Sequence, residues 1–140
     1  MAKTPTLDHA KAALKKYFGY DNFRPLQPDI IRHVLQGGDG IVLMPTGGGK
    51  SVCYQIPAII MPGLAIVVSP LIALMKDQVE GLRANGVPAA FINSTLLPRE
   101  QEEILHQARN GQLKLLYVSP EWLLNDDFFR FLPSLNISMF

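Results

Sequence analysis

Ile41-Val42-Leu43-Met44-Pro45-Thr46-Gly47-Gly48-Gly49-Lys50-Ser51 is the stretch on which the fold turns. Its first four residues form an apolar run that predicts a buried parallel strand, and the proline and glycines after it predict a phosphate-binding loop leading into a helix. Glycines suit such a loop because backbone N–H groups must converge on an anion at the positive end of a helix, where a Cβ would stand in the way. Thr46, Gly47, Gly48 and Gly49 are expected to surround a β- or γ-phosphate. Lys50 supplies a point charge, and Ser51 a hydroxyl for a magnesium ion carried by the phosphates. The general pattern G-x-x-x-x-G-K-[ST] has glycine where this chain has Met44.

Working outward, 140 residues with 48% apolar side chains are one domain's length and enough for a single core. No apolar run is long enough to span a membrane, and the first 18 residues lack an apolar signal core, so a soluble, unexported protein is expected. The single cysteine, Cys53, has no partner for an internal disulfide and reads as a packed small residue. With 13 basic and 12 acidic residues the net charge is +1, so an argument for nucleic acid must come from motifs. His9, His33 and His106 are too dispersed to suggest a metal site.

Upstream of the loop, Leu7, Ala10, Leu14 and Phe18 recur at helical spacing, with Lys11, Lys15 and Lys16 on other faces. They predict a helix from Thr6 or Asp8 to about Tyr17, stopped at Gly19. Ile30, Ile31, Val34 and Leu35 form a second stripe, with Pro28 in its first turn and Gly37 and Gly38 at its end. Between these helices stand Tyr20, Phe23, Arg24 and Gln27. A ring that stacks, a guanidinium, and an amide that both donates and accepts are what selecting adenine requires. The same residues also fit an ordinary helix cap with a hydrophobic staple.

Taken with the loop, Phe18-Gly19-Tyr20, Phe23-Arg24-Pro25, Gln27 and Cys53-Tyr54-Gln55-Ile56-Pro57-Ala58 resemble the start of the RecQ family of DNA helicases. Pro-Thr-Gly-Gly-Gly-Lys-Ser is the form the loop takes in helicase-like nucleotidases, despite Met44. The resemblance implies that Tyr20, Arg24 and Gln27 contact adenine and that the cofactors are ATP and Mg2+. It implies Zn2+ only for carboxyl-terminal regions outside these residues.

Downstream, residues 52–61 predict the helix after the loop, closed by Pro62 and Gly63, and residues 64–69 a second buried strand. Pro70-Leu71-Ile72-Ala73-Leu74-Met75-Lys76-Asp77-Gln78 then enters a helix running to about Ala84. By resemblance to RecQ, this segment lies along single-stranded DNA, with Ser69, Pro70, Leu71, Lys76 and Gln78 as contacts. By itself it is a strand, a turn and an amphipathic helix. Residues 88–92 predict a third strand with Asn93, Ser94 and Thr95 at its carboxyl end, where ligands collect in open parallel sheets. These side chains suit either a nucleic-acid phosphate or a helix-capping loop.

Residues 99–109 predict a charged surface helix with Ile104, Leu105 and Ala108 inward, and residues 114–118 a fourth strand. The Pro120-Glu121 turn after it is similar to that of RecQ members, which usually have arginine in place of Trp122. Trp122 is therefore expected to pack. Asp126 and Asp127 read as N-terminal caps of a short helix, with no metal site. Residues 136–140 open a fifth strand, which in the family continues into Asp-Glu-Ala-His.

Strands alternating with helices predict an α/β fold: a mainly parallel sheet with helices on both faces. The resemblance makes it the RecA-like P-loop nucleotidase architecture, with residues 1–140 the amino-terminal part of the first RecA-like motor domain. It implies an ATP-dependent 3′–5′ DNA helicase of recombination and repair, acting on single-stranded and branched or duplex DNA, with no membrane partner. The implied location is the bacterial cytoplasm with the nucleoid, or the nucleus. The second motor domain and the acidic motif lie outside these residues, so the chain alone is expected to be inactive as a helicase. A non-catalytic nucleotide- or DNA-binding module is the alternative. A DEAD-box-like RNA helicase is the third reading, against which Leu74-Met75-Lys76-Asp77-Gln78 favours RecQ. An unpaired sheet edge with Phe128, Phe129 and Phe140 predicts self-association.

Overall fold

The structure is a computed structural model that describes residues 5–44 and 49–140. The chain divides into two compact units, Met1–Pro62 and Gly63–Phe140. Each has its own apolar cluster, where the sequence had suggested a single core.

The first unit is helical. Helix α1 (Leu7–Ala13) starts at Thr6, whose side chain accepts from the N–H of His9 at 3.5 Å, while His9 Nδ1 accepts from the N–H of Thr6 at 2.9 Å. It continues as a π-helical turn, Leu14–Phe18, ending at Gly19 as expected. Helix α2 (Gln27–Leu35) and helix α3 (Lys50–Ile60) complete the unit. Ala10, Ala13 and Leu14 bury against Ile31 and Leu35 of α2 and Ile56 of α3. The stripes at helical spacing therefore face one another, as a period of 3.6 requires.

Residues 41–44 correct the sequence reading. They form no strand, and Ile41 and Leu43 are 92% and 89% exposed. An apolar run becomes a strand only by hydrogen bonding to a neighbour, and among the described residues this unit contains no other strand. Thr46, Gly47 and Gly48 lie outside the described residues.

The second unit holds a parallel four-stranded sheet, one strand fewer than the five counted in the sequence, in the order β2-β3-β1-β4. The strands are β1 (Leu64–Val68), β2 (Ala89–Ile92), β3 (Leu115–Val118) and β4 (Ile137–Met139). Between them lie helices α4 (Ile72–Ala84), α5 (Pro98–Arg109), α6 (Pro120–Leu123) and α7 (Asp126–Phe131). The path from β1 to β2 crosses the sheet in one direction, and the path from β2 to β3 returns in the other. Right-handed crossovers therefore place α4 and α5 on opposite faces. Burial agrees: Leu64, Ile66, Ala90, Ile92, Leu116 and Val118 share a cluster with Ala108 of α5 and Phe128 of α7. The buried Met75, Val79 and Leu82 of α4 are not in that cluster. Central β3 is buried along its whole length, as a parallel strand covered on both faces should be.

Two details near α7 differ from expectation. The cap of α7 is Asn125, whose Oδ1 accepts from the N–H groups of Asp127 and Phe128 at 2.9 and 3.3 Å. Asp126 and Asp127 instead occupy the first turn, where the helix dipole favours acids. Phe128, expected at an exposed edge, is only 1% exposed, whereas Phe129 and Phe140 are 68% and 66% exposed. Trp122 packs edge-on against Phe128, ring centroids 6.0 Å apart and planes at 86°.

Gly63 sets the approach of β1 to β4. Its φ is +107°, and a Cβ there would lie 2.7 Å from the carbonyl oxygen of Asn136, which accepts from the N–H of Leu64 at 2.7 Å. Gly63→Ala is expected to destabilise the second unit by about 1–2 kcal/mol from the backbone alone, read as an earlier denaturation midpoint of Trp122 fluorescence.

Candidate nucleotide and nucleic-acid site

The first unit builds its site around Gln27. The N–H of Gln27 donates to the Arg24 carbonyl at 3.2 Å, and the N–H of Arg24 donates to Gln27 Oε1 at 2.8 Å. Leu26, between them, has a φ of 73°. A left-handed leucine is uncommon, and this turn is where the chain is bent to feed Gln27 into α2. No sequence signal announced it. Gln27 is 3% exposed, and its Nε2 donates to the carbonyl of Gly49 at 3.1 Å. The amide thus spans from the aromatic and guanidinium segment to the start of α3, 22 residues away in sequence. Of its two N–H groups and two lone pairs, these bonds use one of each.

Gly49 is the residue before α3, with φ 84° and ψ 33°. A Cβ at this position would come within 2.3 Å of Gln27 Nε2, so the close approach requires glycine as much as the left-handed backbone does. Among the described residues no side chain caps α3, and its first turn has no acid. No acid of the first turn therefore offsets the positive end of this 11-residue helix, which fits a bound phosphate. Lys50 is exposed, and Ser51 is half-buried beside it. Gly49→Ala is expected to lose about 1–2 kcal/mol to backbone strain and to push Gln27 aside, read as a lower melting temperature with weaker nucleotide binding.

Around this centre, Tyr20 is 55% exposed and Arg24 is exposed. Lys15 Nζ lies 2.9 Å from Asp21 and holds that carboxyl below its ordinary range by a hydrogen bond and its charge. Cys53 is buried, its Sγ 3.7 Å from the Gly49 carbonyl and 3.9 Å from Met44 Sδ. Burial pushes its thiol pKa up, so it packs as a neutral group, as the sequence suggested.

The second unit gathers its candidates by topology. Because β1, β2 and β3 are parallel, the segments after them emerge at one end of the sheet. Ser69, Pro70 and Leu71 follow β1, and Asn93, Ser94 and Thr95 follow β2. Ser69 Oγ accepts from the N–H of Leu71 at 3.2 Å, and the N–H of Ser69 donates to the Val118 carbonyl at 3.1 Å. Pro70 and Leu71 are exposed. Lys76 and Gln78 lie one to two turns along α4, so they are not among the groups at the strand ends. Asn93 is fully buried, its Oδ1 accepting from the N–H of Thr95 at 2.9 Å and from the Thr95 hydroxyl. Ser94 and Thr95 are exposed.

Ser119, at the end of β3, was not singled out by sequence. It is buried, its N–H donates to the Ile92 carbonyl at 3.3 Å, and its Oγ accepts from the N–H of Trp122 at 3.4 Å. Ser followed by Pro at the first helical position was the available signal.

No group of three or more acids, histidines or cysteines among the described residues is arranged to hold a metal. Nor is any helix among them long and apolar enough to cross a membrane.

The profile of the DEAD/DEAH box helicases matches residues 24–136. The ATP-dependent DNA helicase RecQ of Haemophilus influenzae is 50% identical over 121 residues, 86% of this chain and 20% of that protein. RecQ of Bacillus subtilis is 46% identical over 134 residues, 95% of this chain and 23% of that protein. The chain thus spans about a fifth of the length of these curated relatives. Among solved structures, the DUF1998 helicase MrfA bound to DNA superposes with a TM-score of 0.73 over 98% of this chain and 21% of that one. At 23% identity that likeness shows the fold, an incomplete α/β RecA-like domain.

Proposed function

We propose, from the premise that this chain belongs to the DEAD/DEAH box helicase family, that it is the amino-terminal part of a RecQ-type ATP-dependent DNA helicase, holding ATP in its first unit and single-stranded DNA along its second. The observation that carries the nucleotide half is the buried Gln27 amide, bonded at once to Arg24 and Gly49. It couples a base-reading segment to the start of the phosphate-facing helix. Its remaining N–H and lone pair are the complement of the amino group and N7 of adenine. Tyr20, exposed on the same segment, offers a ring for stacking.

The residues present fit magnesium-ATP, because α3 opens on Gly49 and Lys50 with no acid in its first turn, so its positive end favours an anion. Bound ATP supplies the phosphoryl group whose transfer to water releases the free energy that drives a motor of this kind. Thr46, Gly47, Gly48 and Gly49 would hold the phosphates, Lys50 would offset their charge, and the Ser51 hydroxyl would be a ligand for the Mg2+ they carry. On the DNA side, Ser69, Pro70, Leu71, Ser94 and Thr95 face the backbone of one strand, with Lys76 and Gln78 further along α4. A motor that moves 3′ to 5′ through any sequence must hold backbone in preference to base edges.

These 140 residues contain no Asp-Glu-x-His run to orient an attacking water, so the chain alone is expected to bind nucleotide and not to unwind. The test is strand separation by the full-length protein carrying this chain, on DNA and RNA duplexes with a 3′ single-stranded tail. ATP-dependent unwinding of the DNA is expected. Unwinding of RNA alone would overturn the proposal in favour of an RNA helicase, and no unwinding with retained ATP binding would leave a non-catalytic binding module.

A further inference from the structure

The turn after β2, whose groups are expected to meet DNA, is held by a residue outside it. Gln101 lies in the second turn of α5 and is half-buried. Its Nε2 donates to two main-chain carbonyls of residues 93–97: that of Asn93 at 3.2 Å and that of Leu96 at 3.1 Å. Its own N–H donates to the carbonyl of Leu97 at 3.0 Å. One side chain thus ties both ends of the turn bearing Ser94 and Thr95 to a rigid helix. Among the described residues, the other bonds of this turn are those from the N–H of Leu96 to the Asn93 carbonyl at 3.3 Å, from Thr95 to Asn93 Oδ1, and from the N–H of Leu97 to Glu100 Oε1 at 3.1 Å.

The same geometry sorts the donors. The Thr95 hydroxyl gives its hydrogen to Asn93. Ser94 is exposed, and among the described residues no hydrogen bond engages its hydroxyl. Asn93 Nδ2 is buried and, among the described residues, has no hydrogen-bond partner. Ser94 is therefore the side chain with a donor to offer a phosphate, and its placement depends on how firmly the turn is held.

We infer that Gln101 is a positioning residue for strand binding: its amide fixes residues 93–97 so that Ser94 meets a phosphate of single-stranded DNA. This rests on the proposed function of the second unit, and it adds a residue that touches neither DNA nor nucleotide. Gln101→Met keeps the length of the side chain, removes both donors and changes no charge, so an effect on DNA affinity cannot come from electrostatics.

The experiment is a fluorescence-anisotropy titration of a labelled oligo-deoxythymidine with the wild-type chain and with Gln101→Met, Gln101→Asn and Ser94→Ala, alongside amide exchange at Thr95 and Leu96. Trp122 emission checks that the second unit is folded. Gln101→Met is expected to weaken oligonucleotide binding roughly three- to tenfold, the worth of one hydrogen bond, and to speed exchange at both amides. Gln101→Asn, with its N–H groups on a shorter stem, keeps an intermediate affinity and replaces Gln101→Met if that variant does not fold. Ser94→Ala weakens binding without faster exchange. Faster exchange with unchanged oligonucleotide binding, or unchanged exchange, overturns the role of Gln101 and leaves the proposed function standing. Absence of binding by the wild-type chain overturns the DNA half of the proposed function, and this inference with it.

Discussion

Lys50→Ala is expected to weaken the binding of magnesium-ATP to this chain roughly 10- to 150-fold, the equivalent of about 1.5–3 kcal/mol for a hydrogen bond to a charged group. Lys50 opens α3, directly after the left-handed Gly49, and its side chain is exposed. The first turn of α3 has no acid to pair with it. Its charge is therefore available to an anion held at the helix start, where it adds to the positive field of the helix dipole. Because the side chain supports no packing, its loss should leave helicity and melting within about 0.5 kcal/mol of wild type. Calorimetric titration beside a circular-dichroism melt separates the two effects. Undiminished ATP binding by Lys50→Ala would place the phosphates elsewhere.

Phe128→Ala is expected to cost the second unit about 3–5 kcal/mol, as for other buried aromatic truncations, a large part of the roughly 5–15 kcal/mol that holds a domain folded. Phe128 shares its cluster with Ile66, Ile92, Leu116 and Leu135, so truncation opens a cavity that these side chains from sheet and loop can close only in part. It also removes the ring against which Trp122 rests. Trp122 emission should shift to the red in native buffer, and the urea midpoint should fall. Phe129→Ala, its exposed neighbour, is the control, expected within about 0.5 kcal/mol of wild type. Equal effects of the two substitutions would contradict the burial described for α7.

The contrast between these phenylalanines shows what local sequence carries. Helical stripes such as Leu7, Ala10 and Leu14, or Ile31 and Leu35, were legible because a period of 3.6 fixes which side turns inward. So were the strands of the second unit, whose β-branched and apolar runs alternate with helices. In residues 126–131 the apolar residues are too close together to assign a face. Successive helical positions differ by about 100°, so Phe128 goes in and Phe129 goes out only once the helix's orientation against the sheet is known. Residues 41–44 show the same limit for strands. Their composition is right for a buried strand, yet composition cannot supply the hydrogen-bonding neighbour.

At the candidate site, glycine, lysine and serine in a fixed order gave the expectation of a phosphate loop, of which Thr46, Gly47 and Gly48 lie outside the described residues. The identities of Tyr20, Arg24 and Gln27 pointed to adenine, but nothing in sequence showed that Gln27 is buried and bonded to Gly49. That bond joins positions far apart in the chain, beyond the reach of any local pattern. Gln101 is similar: on a charged surface helix it reads as one more polar residue, and only the fold brings it to the carbonyls of residues 93–97. Asn125 outranks Asp126 and Asp127 as a cap because its short amide, on extended backbone, reaches two N–H groups at once.

That Gln27 joins an adenine-reading segment to a phosphate-holding helix start is the proposal on which nucleotide binding by this chain rests. Its most direct test is a calorimetric titration of the 140-residue chain with magnesium-ATP and magnesium-GTP, repeated with Gln27→Ala. The wild-type chain is expected to bind ATP more tightly than GTP, and Gln27→Ala to abolish that preference and weaken ATP binding. Equal affinity of the wild-type chain for ATP and GTP, or an ATP preference unchanged in Gln27→Ala, would contradict it.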